Sequence, residues 1–199
     1  MTIADRIEAY ARSLLGRRFP ASRLMLVREQ GRDVAYGRWV LGADYRNKTT
    51  YYGAFPPTFL DRLMTLFPDV DLADVLHVFS GSLPLGRYMR CDVNPANGAE
   101  FVCRVEELPS RTARRWPLVI ADPPYSSLDA ARYGTLMIDR AKVLAALAAI
   151  VVPGGHLAWL DQVWPMHRKT DWQTVARIAI TRSTNHRVRD LTVFQRRAA

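Results

Sequence analysis

The chain has 199 residues, 49% of them hydrophobic and 24% charged. That balance excludes wholesale disorder and suits a single domain, 1–199, with a full core. Twenty-eight Lys and Arg against nineteen Asp and Glu leave a net charge of +9, so an anionic partner is expected, nucleic acid ahead of a membrane surface. No apolar run is long enough to span a bilayer. The opening Met1-Thr2-Ile3-Ala4-Asp5 has no basic-then-apolar leader. Two cysteines, Cys91 and Cys103, make neither a disulfide framework nor a metal site. The expectation is a cytoplasmic protein with reduced thiols, no metal, and a monomeric or homodimeric state.

Ile3, Ile7, Tyr10, Leu14 and Leu15 recur at helical spacing behind a Thr2/Asp5 capping box, and Gly16 stops the helix. Extended runs at 23–29 and 34–41, joined by Gln30-Gly31-Arg32-Asp33, predict a β-hairpin. Residues 1–50 thus read as a helix-and-hairpin extension to a core at 51–199. A polar, aromatic loop at 44–53 holds Tyr45, Arg46, Asn47, Lys48, Tyr51 and Tyr52, a mixture suited to tracking a single strand or covering a cofactor. Phe55-Pro56-Pro57 leads into a short helix capped by Thr58. Phe59, Leu60, Leu63, Met64 and Phe67 form its stripe, and Pro68 ends it.

Beyond that point the rhythm changes. Short apolar runs at 75–79, 88–93, 101–105, 118–121 and 156–160 are each bounded by Gly, Pro, Asn or Asp. Strands buried on both faces of a parallel sheet have this pattern. A helix at 137–151 is stopped by Pro153-Gly154-Gly155. Runs at 175–181 and 189–195, with Asn185 and His186 between, predict a terminal hairpin. The fold class is α/β: a mostly parallel, doubly wound sheet with an antiparallel C-terminal hairpin.

The chemistry concentrates in Asp122-Pro123-Pro124-Tyr125, which follows the apolar strand at 118–121. Carboxyl ends of strands face the ligand crevice in open α/β sheets, and two prolines stiffen the backbone there. A nucleobase amino group is a poor nucleophile because its lone pair is delocalised into the ring. The Asp122 carboxylate and the Pro123 carbonyl, accepting its two hydrogens, would favour a pyramidal nitrogen. Tyr125 would offer a flat face for the base. Upstream, Phe79-Ser80-Gly81-Ser82 ends a strand in a tight turn that lets a ligand approach the backbone. Asp92 ends the next strand, where an acid suits a ribose diol.

These residues, in this order, resemble the class I S-adenosylmethionine-dependent amino-methyltransferases that act on adenine N6 or cytosine N4. Asp122-Pro123-Pro124-Tyr125 matches that group's catalytic motif, and Phe79-Ser80-Gly81-Ser82 the start of its cofactor loop. Phe55-Pro56, with Leu60, Arg62 and Leu63, is similar to the segment that holds the cofactor's methionine end. The resemblance spans about residues 51–197. It implies a Rossmann-like fold, S-adenosyl-L-methionine as cofactor, and an acidic or amide residue facing the adenine ring, a place open to Arg104 or Glu106. Leu83-Pro84-Leu85 departs from the family's glycine-rich continuation, so the first crossover helix is shortened or missing. No separate target recognition domain fits in the chain.

DNA is the favoured substrate, at adenine N6. An RNA base and a non-catalytic binding subunit are the alternatives. Candidate nucleic-acid contacts are Arg111, Arg114 and Arg115 before the catalytic strand, and Arg132 and Tyr133 in a 126–134 loop able to close over a base. Arg168 and Lys169 follow the fifth strand at the same end of the sheet, and Arg187 lies in the terminal hairpin with Arg182, Arg189, Arg196 and Arg197. Trp164 is read first as buried structure and second as a wall of the base pocket; His167 and His186 are read as exposed loop histidines.

Overall fold

The computed structural model describes residues 1–14, 23–41, 55, 58–182 and 185–198, with the backbone alone at 182 and 185–187. Leu15, Gly16, Pro56, the 44–53 loop and the side chains of Arg182, His186 and Arg187 lie outside the described residues. The chain runs through helix α1 (Ile3–Leu14), strands β1 (Leu24–Glu29) and β2 (Arg32–Leu41), helix α2 (Phe59–Met64), and strands β3 (Val75–Val78), β4 (Met89–Asp92) and β5 (Phe101–Val102). Helix α3 (Leu108–Arg111), strand β6 (Trp116–Ala121), helices α4 (Ser127–Arg132) and α5 (Arg140–Ile150), and strands β7 (Val151–Asp161), β8 (Trp172–Arg182) and β9 (Asn185–Arg196) follow.

These strands form one sheet in the order β1-β2-β8-β9-β7-β6-β3-β4-β5. The limb from β7 to β5 is parallel, and β9 runs antiparallel to both β7 and β8. This is the mostly parallel sheet with an antiparallel terminal hairpin that the sequence implies. The N-terminal hairpin joins the same sheet, because β2 pairs in parallel with β8 from Ala35 opposite Ala176 to Leu41 opposite Arg182. Its turn is tighter than expected. Only Gln30 and Gly31 turn, at φ 47° and 79°, a pair of positive values that matches the twist of the flanking strands. Arg32 and Asp33 pair instead with Glu29 and Arg28.

Alternate residues of the central strands point to opposite faces and divide the core into two layers. Leu118 and Ile120 of β6 and Ala158 and Leu160 of β7 pack with Tyr10, Trp39, Phe59 and Leu63 on the α1/α2 side. Val119, Ala121, Leu157 and Trp159 pack with Leu108, Val143, Leu144 and Leu147 on the α3/α5 side. Helix α1 begins at the expected capping box: the Thr2 N–H donates to the Asp5 carboxylate at 2.8 Å, and the Asp5 N–H donates to the Thr2 hydroxyl at 3.2 Å. Tyr10 stacks on Trp39, and Arg6, 4% exposed, donates to Asp69 and to the Leu66 carbonyl.

Two helix ends differ from expectation. Thr58 does not cap α2 through its side chain; it is left-handed at φ 66°, and only its carbonyl serves the helix, accepting from the Arg62 N–H. Helix α5 starts at Arg140 because the Asp139 carboxylate accepts from the Ala141 and Lys142 N–H groups. It ends before Pro153 because Val151 already pairs with Trp116. Residues 152–155 then bulge before His156 resumes pairing opposite Leu118.

No helix joins the parallel neighbours β3 and β4, whose connection at 79–88 is shorter than the dozen or more residues such a crossover usually takes. Tyr88 packs where a helix would: its ring lies edge-on to buried His77 at 4.7 Å, and its hydroxyl donates to the Pro84 carbonyl at 2.7 Å. Arg90 ties the loop down from β4. Its guanidinium donates to the Leu83 and Gly98 carbonyls and to both Glu100 oxygens, and holds Glu100 below the usual carboxylate range. Arg90→Ala removes the donor from the Leu83 and Gly98 carbonyls and frees the loop, so it is expected to cost about 1–3 kcal/mol of unfolding free energy in urea titration.

Candidate active site

Three parallel strands stop at one edge of the sheet, and their ends enclose a cavity of about 260 Å³. From β3 come Phe79, Ser80, Gly81 and Ser82; from β4, Asp92, Val93 and Asn94; from β6, Asp122 and Pro124. Phe55 and Leu60 close one side, and Tyr133 and Thr135 another. Of the expected cofactor residues, Phe55, Phe79, Ser80, Gly81, Ser82 and Asp92 are thus brought together with Asp122. Leu60, expected with the Phe55 segment, lines it too, and Leu83, Pro84, Val93, Asn94 and Thr135 complete the wall without having been singled out for that role, since nothing in their local pattern marks them. Tyr133, expected to touch nucleic acid, sits in this wall, and exposed Arg132 precedes it at the end of α4.

The cradle is built from backbone conformations that resist substitution. Phe79 sits at φ 57°, unusual for a bulky residue and a frequent mark of functional sites. Gly81 follows at φ 51°. The Asp92 carboxylate clamps the turn, accepting from the Gly81 N–H at 2.8 Å and from Asn94 N–H and Asn97 Nδ2 at 2.9 and 3.0 Å. A carboxylate offers about four acceptor positions, so this clamp leaves one free. Ser80 Oγ is buried in the wall with no hydrogen-bond partner, the kind of vacancy that a polar ligand atom fills.

At the corner after β6 the Tyr125 hydroxyl donates to Asp122 Oδ1 at 2.5 Å. Burial pushes the Asp122 carboxyl up to about 6, against the opposing pull of Arg189 and of the tyrosine hydrogen bond. Arg189 was grouped with the basic residues of the terminal hairpin, yet its guanidinium lies 5.2 Å over the Tyr125 ring, and its Nη1 is buried without a hydrogen-bond partner. One face of the expected stacking ring is therefore covered by a cation. The sheet places it there: β9 folds back beside β7, so Asp190 stands opposite Asp161 and Arg189 reaches the rim.

Asp161 and Arg140 hold the corner from behind. Asp161, fully buried at the end of β7, accepts from Arg140 Nε and Nη2 at 2.7 and 3.2 Å, from Trp159 Nε1 at 3.1 Å and from the Gln162 N–H at 2.7 Å. Arg140 Nη2 also reaches the Tyr125 carbonyl at 3.4 Å. Neither residue was a candidate, because their partnership joins a strand end to a helix start twenty-one positions away.

Other expectations are corrected. Glu106 does not line the cavity; it accepts from Arg104 at 3.1 Å just past β5, and neither residue faces the cradle. Arg111, Arg114 and Arg115 precede β6, at the opposite edge from Asp122. The strand rises about 3.3 Å per residue, so some 20 Å separates the two. Arg111 pairs with Glu107, and Arg114 with Asp74 and the Ala73 carbonyl. Arg168 and Lys169 also fall at that far edge, since 162–171 runs down the sheet to Trp172, which pairs with Arg196. The 126–134 loop is mostly helix, because the Ser126 hydroxyl caps α4 by accepting from the Asp129 N–H. Trp164 is 57% exposed, and His167 is not exposed; it packs on Phe194 at 4.8 Å.

Solved methyltransferases share this architecture. TrmN from Thermus thermophilus matches over 72% of this chain and 50% of that one, with a TM-score of 0.50 and 16% identity; the chain spans half the length of that protein. N-methyltransferase NodS from Bradyrhizobium japonicum WM9 matches over 71% of this chain and 94% of its own, at 0.49 and 16%. The T. thermophilus 16S rRNA N2 G1207 methyltransferase RsmC, solved with AdoMet and guanosine, matches over 90% and 52%, at 0.41 and 15%. Identities this low speak for the fold alone, which is the expected Rossmann-like class I methyltransferase fold. No protein-family model and no curated protein sequence matches the chain.

The raised Asp122 pKa has a consequence for stability. The native state binds this proton more tightly than the unfolded chain, so the stabilisation is complete below the ordinary carboxylate range and lost as pH rises through about 6. Asp122→Asn is expected to raise Tm at pH 7.5 by about 6–12 °C and to leave it nearly unchanged at pH 4, read by scanning calorimetry.

Proposed function

We propose that the protein transfers a methyl group from S-adenosyl-L-methionine to the exocyclic amino nitrogen of a nucleobase, adenine N6 in DNA in the first instance. The observation that carries this reading is the shared cavity: the proline-locked acid Asp122 opens into the same hollow as the Phe79–Asp92 cradle. The cradle fits the cofactor chemically. Phe55, Leu60, Phe79 and Val93 give it apolar walls, Asp92 keeps an acceptor for a diol, and Ser80 Oγ lacks a partner.

When bound, the cofactor supplies an electrophilic methyl group on a sulfonium. The chain supplies placement, which is worth several orders of magnitude in rate when reacting atoms are held in line. The ionised Asp122 carboxylate and the Pro123 carbonyl accept from the two amino hydrogens and orient the nitrogen lone pair. Tyr125 shares its hydroxyl with Asp122 and stacks the base on the ring face that Arg189 leaves open. Arg189 keeps the buried acid ionised at neutral pH, against its desolvation. The target must be unpaired or extruded from a duplex to reach this corner.

RNA is the second reading. The observation in its favour is that the N-terminal hairpin is absorbed into the sheet through β2 and β8, so no separate recognition unit stands among the described residues, and unpaired bases of structured RNA need none.

Methyl incorporation from labelled cofactor into DNA and RNA strands of equal length tests both readings. Asp122→Ala is expected to abolish turnover while S-adenosylhomocysteine affinity, by calorimetry, stays within about threefold; unchanged turnover removes Asp122 from its role. No binding of S-adenosylhomocysteine to the parent protein at millimolar concentration leaves a non-catalytic subunit. Because only ionised Asp122 accepts from the amine, kcat/KM is expected to rise with pH through about 6 and then level off.

A further inference from the structure

The outer limb of the sheet carries a surface that the methyl-transfer site leaves unused. On one face of β2 and β8, Ala35, Trp39, Ala176, Ile178 and Ile180 enter the core beneath α1. The opposite face carries Tyr36 beside Arg177, Arg177 beside Thr192, and Arg38 beside Ala179. Helix α5 reaches only the near margin of this face, where Trp172 Nε1 donates to the Leu144 carbonyl at 3.1 Å. Farther out, no described helix packs on it.

The 162–171 segment crosses the face and presents Trp164. Its ring lies 4.0 Å from the Arg177 guanidinium carbon, and its Nε1 donates to Asp190. Next to Arg177 a hollow of about 210 Å³ is lined by Arg32, His167, Lys169, Arg177 and Arg197. Glu29 is the one acid among its described lining residues, and it accepts the Tyr36 hydroxyl at 2.6 Å. The Nε atoms of Arg177 and Arg197 are buried without hydrogen-bond partners.

The surface is continuous with the catalytic corner. Asp190, which holds Trp164, stands opposite Asp161, whose partner Arg140 reaches the Tyr125 carbonyl. From Asp190 to the residues beside the basic hollow, β9 descends five positions, about 17 Å at 3.4 Å per residue. That is the length of a few nucleotides of extended strand. An exposed aromatic beside an arginine, leading to a cationic hollow, combines the stacking and phosphate contacts that single-stranded nucleic acid uses.

We infer that this limb binds the phosphodiester backbone of the single strand flanking the target base. The inference deepens the methyltransferase reading and rests on it for the choice of polymer. Trp164 takes a flanking base; Arg32, Lys169 and Arg177 take phosphates. Sequence preference along such a track is weak, because it reads backbone and ring faces only.

The test is fluorescence anisotropy with short labelled strands of DNA and of RNA, titrated over a range of salt. Arg32 and Lys169 are exposed, so the double variant Arg32→Ala/Lys169→Ala keeps the fold. It is expected to weaken binding about tenfold or more at low salt and to reduce the slope of log K against log salt by about 1.4, or 0.7 per lost phosphate contact. Trp164→Ala is expected to weaken binding about tenfold with little change in slope. Arg111→Ala/Arg115→Ala, on the far edge before β6, is the control and is expected to change neither. An unchanged slope in the first variant, or an equal fall in the control, overturns the inference. Calorimetry with S-adenosylhomocysteine on the same proteins separates the two readings. Cofactor binding with no effect of the limb variants removes the track and leaves the methyltransferase; limb effects without cofactor binding do the reverse.

Discussion

The corner at Asp122 depends on a carboxylate at the end of the neighbouring strand. Asp161 has no exposed surface and collects four donors, two of them from Arg140. A buried charge with fewer partners would be strongly destabilising; with these it becomes a rigid post. Through it the start of α5 is locked to the end of β7, and Arg140 extends the lock to the Tyr125 carbonyl. The two prolines stiffen the corner within the chain, and the Asp161–Arg140 pair fixes it relative to the sheet.

That division of labour recurs at the cradle. A crossover helix usually braces the turn after the first parallel strand of a doubly wound sheet. Here the brace is made of side chains: Tyr88 against His77, Arg90 to Leu83 and Gly98, and Asp92 to Gly81. Each replaces many weak helical contacts by a few directional ones. His77, too deeply buried to carry a proton and pushed down to about 4, serves as an apolar ring here. The cradle gains an exact shape at the cost of dependence on single residues.

Electrostatics at the mouth carry opposed demands. Desolvation favours a neutral Asp122, whereas the proposed role as acceptor for an amine needs the ion. Arg189 and the Tyr125 hydroxyl offset much of that burial, and the acid settles near 6 instead of higher. The same cation covers one face of the ring that a base would stack on. The charge state of the acid and access to the ring thus meet at one side chain.

Local sequence determined a good deal of this protein. Alternating and continuous apolar runs placed the central strands, the Thr2/Asp5 box started α1, and Asp122-Pro123-Pro124-Tyr125 marked the corner, because each depends on interactions within a few residues. What lay beyond sequence was adjacency. The absorption of β2 beside β8, the return of Arg189 to Tyr125, the bond from Arg140 to Asp161, and the descent of 162–171 that carries Arg168 and Lys169 to the far edge all join residues distant in the chain. Arg111 to Arg115 looked close to the catalytic acid because they are near in number, yet a strand is extended, so six residues of β6 hold them at the opposite edge. Periodicity reports which face a residue occupies; only the packed sheet decides which neighbour it meets.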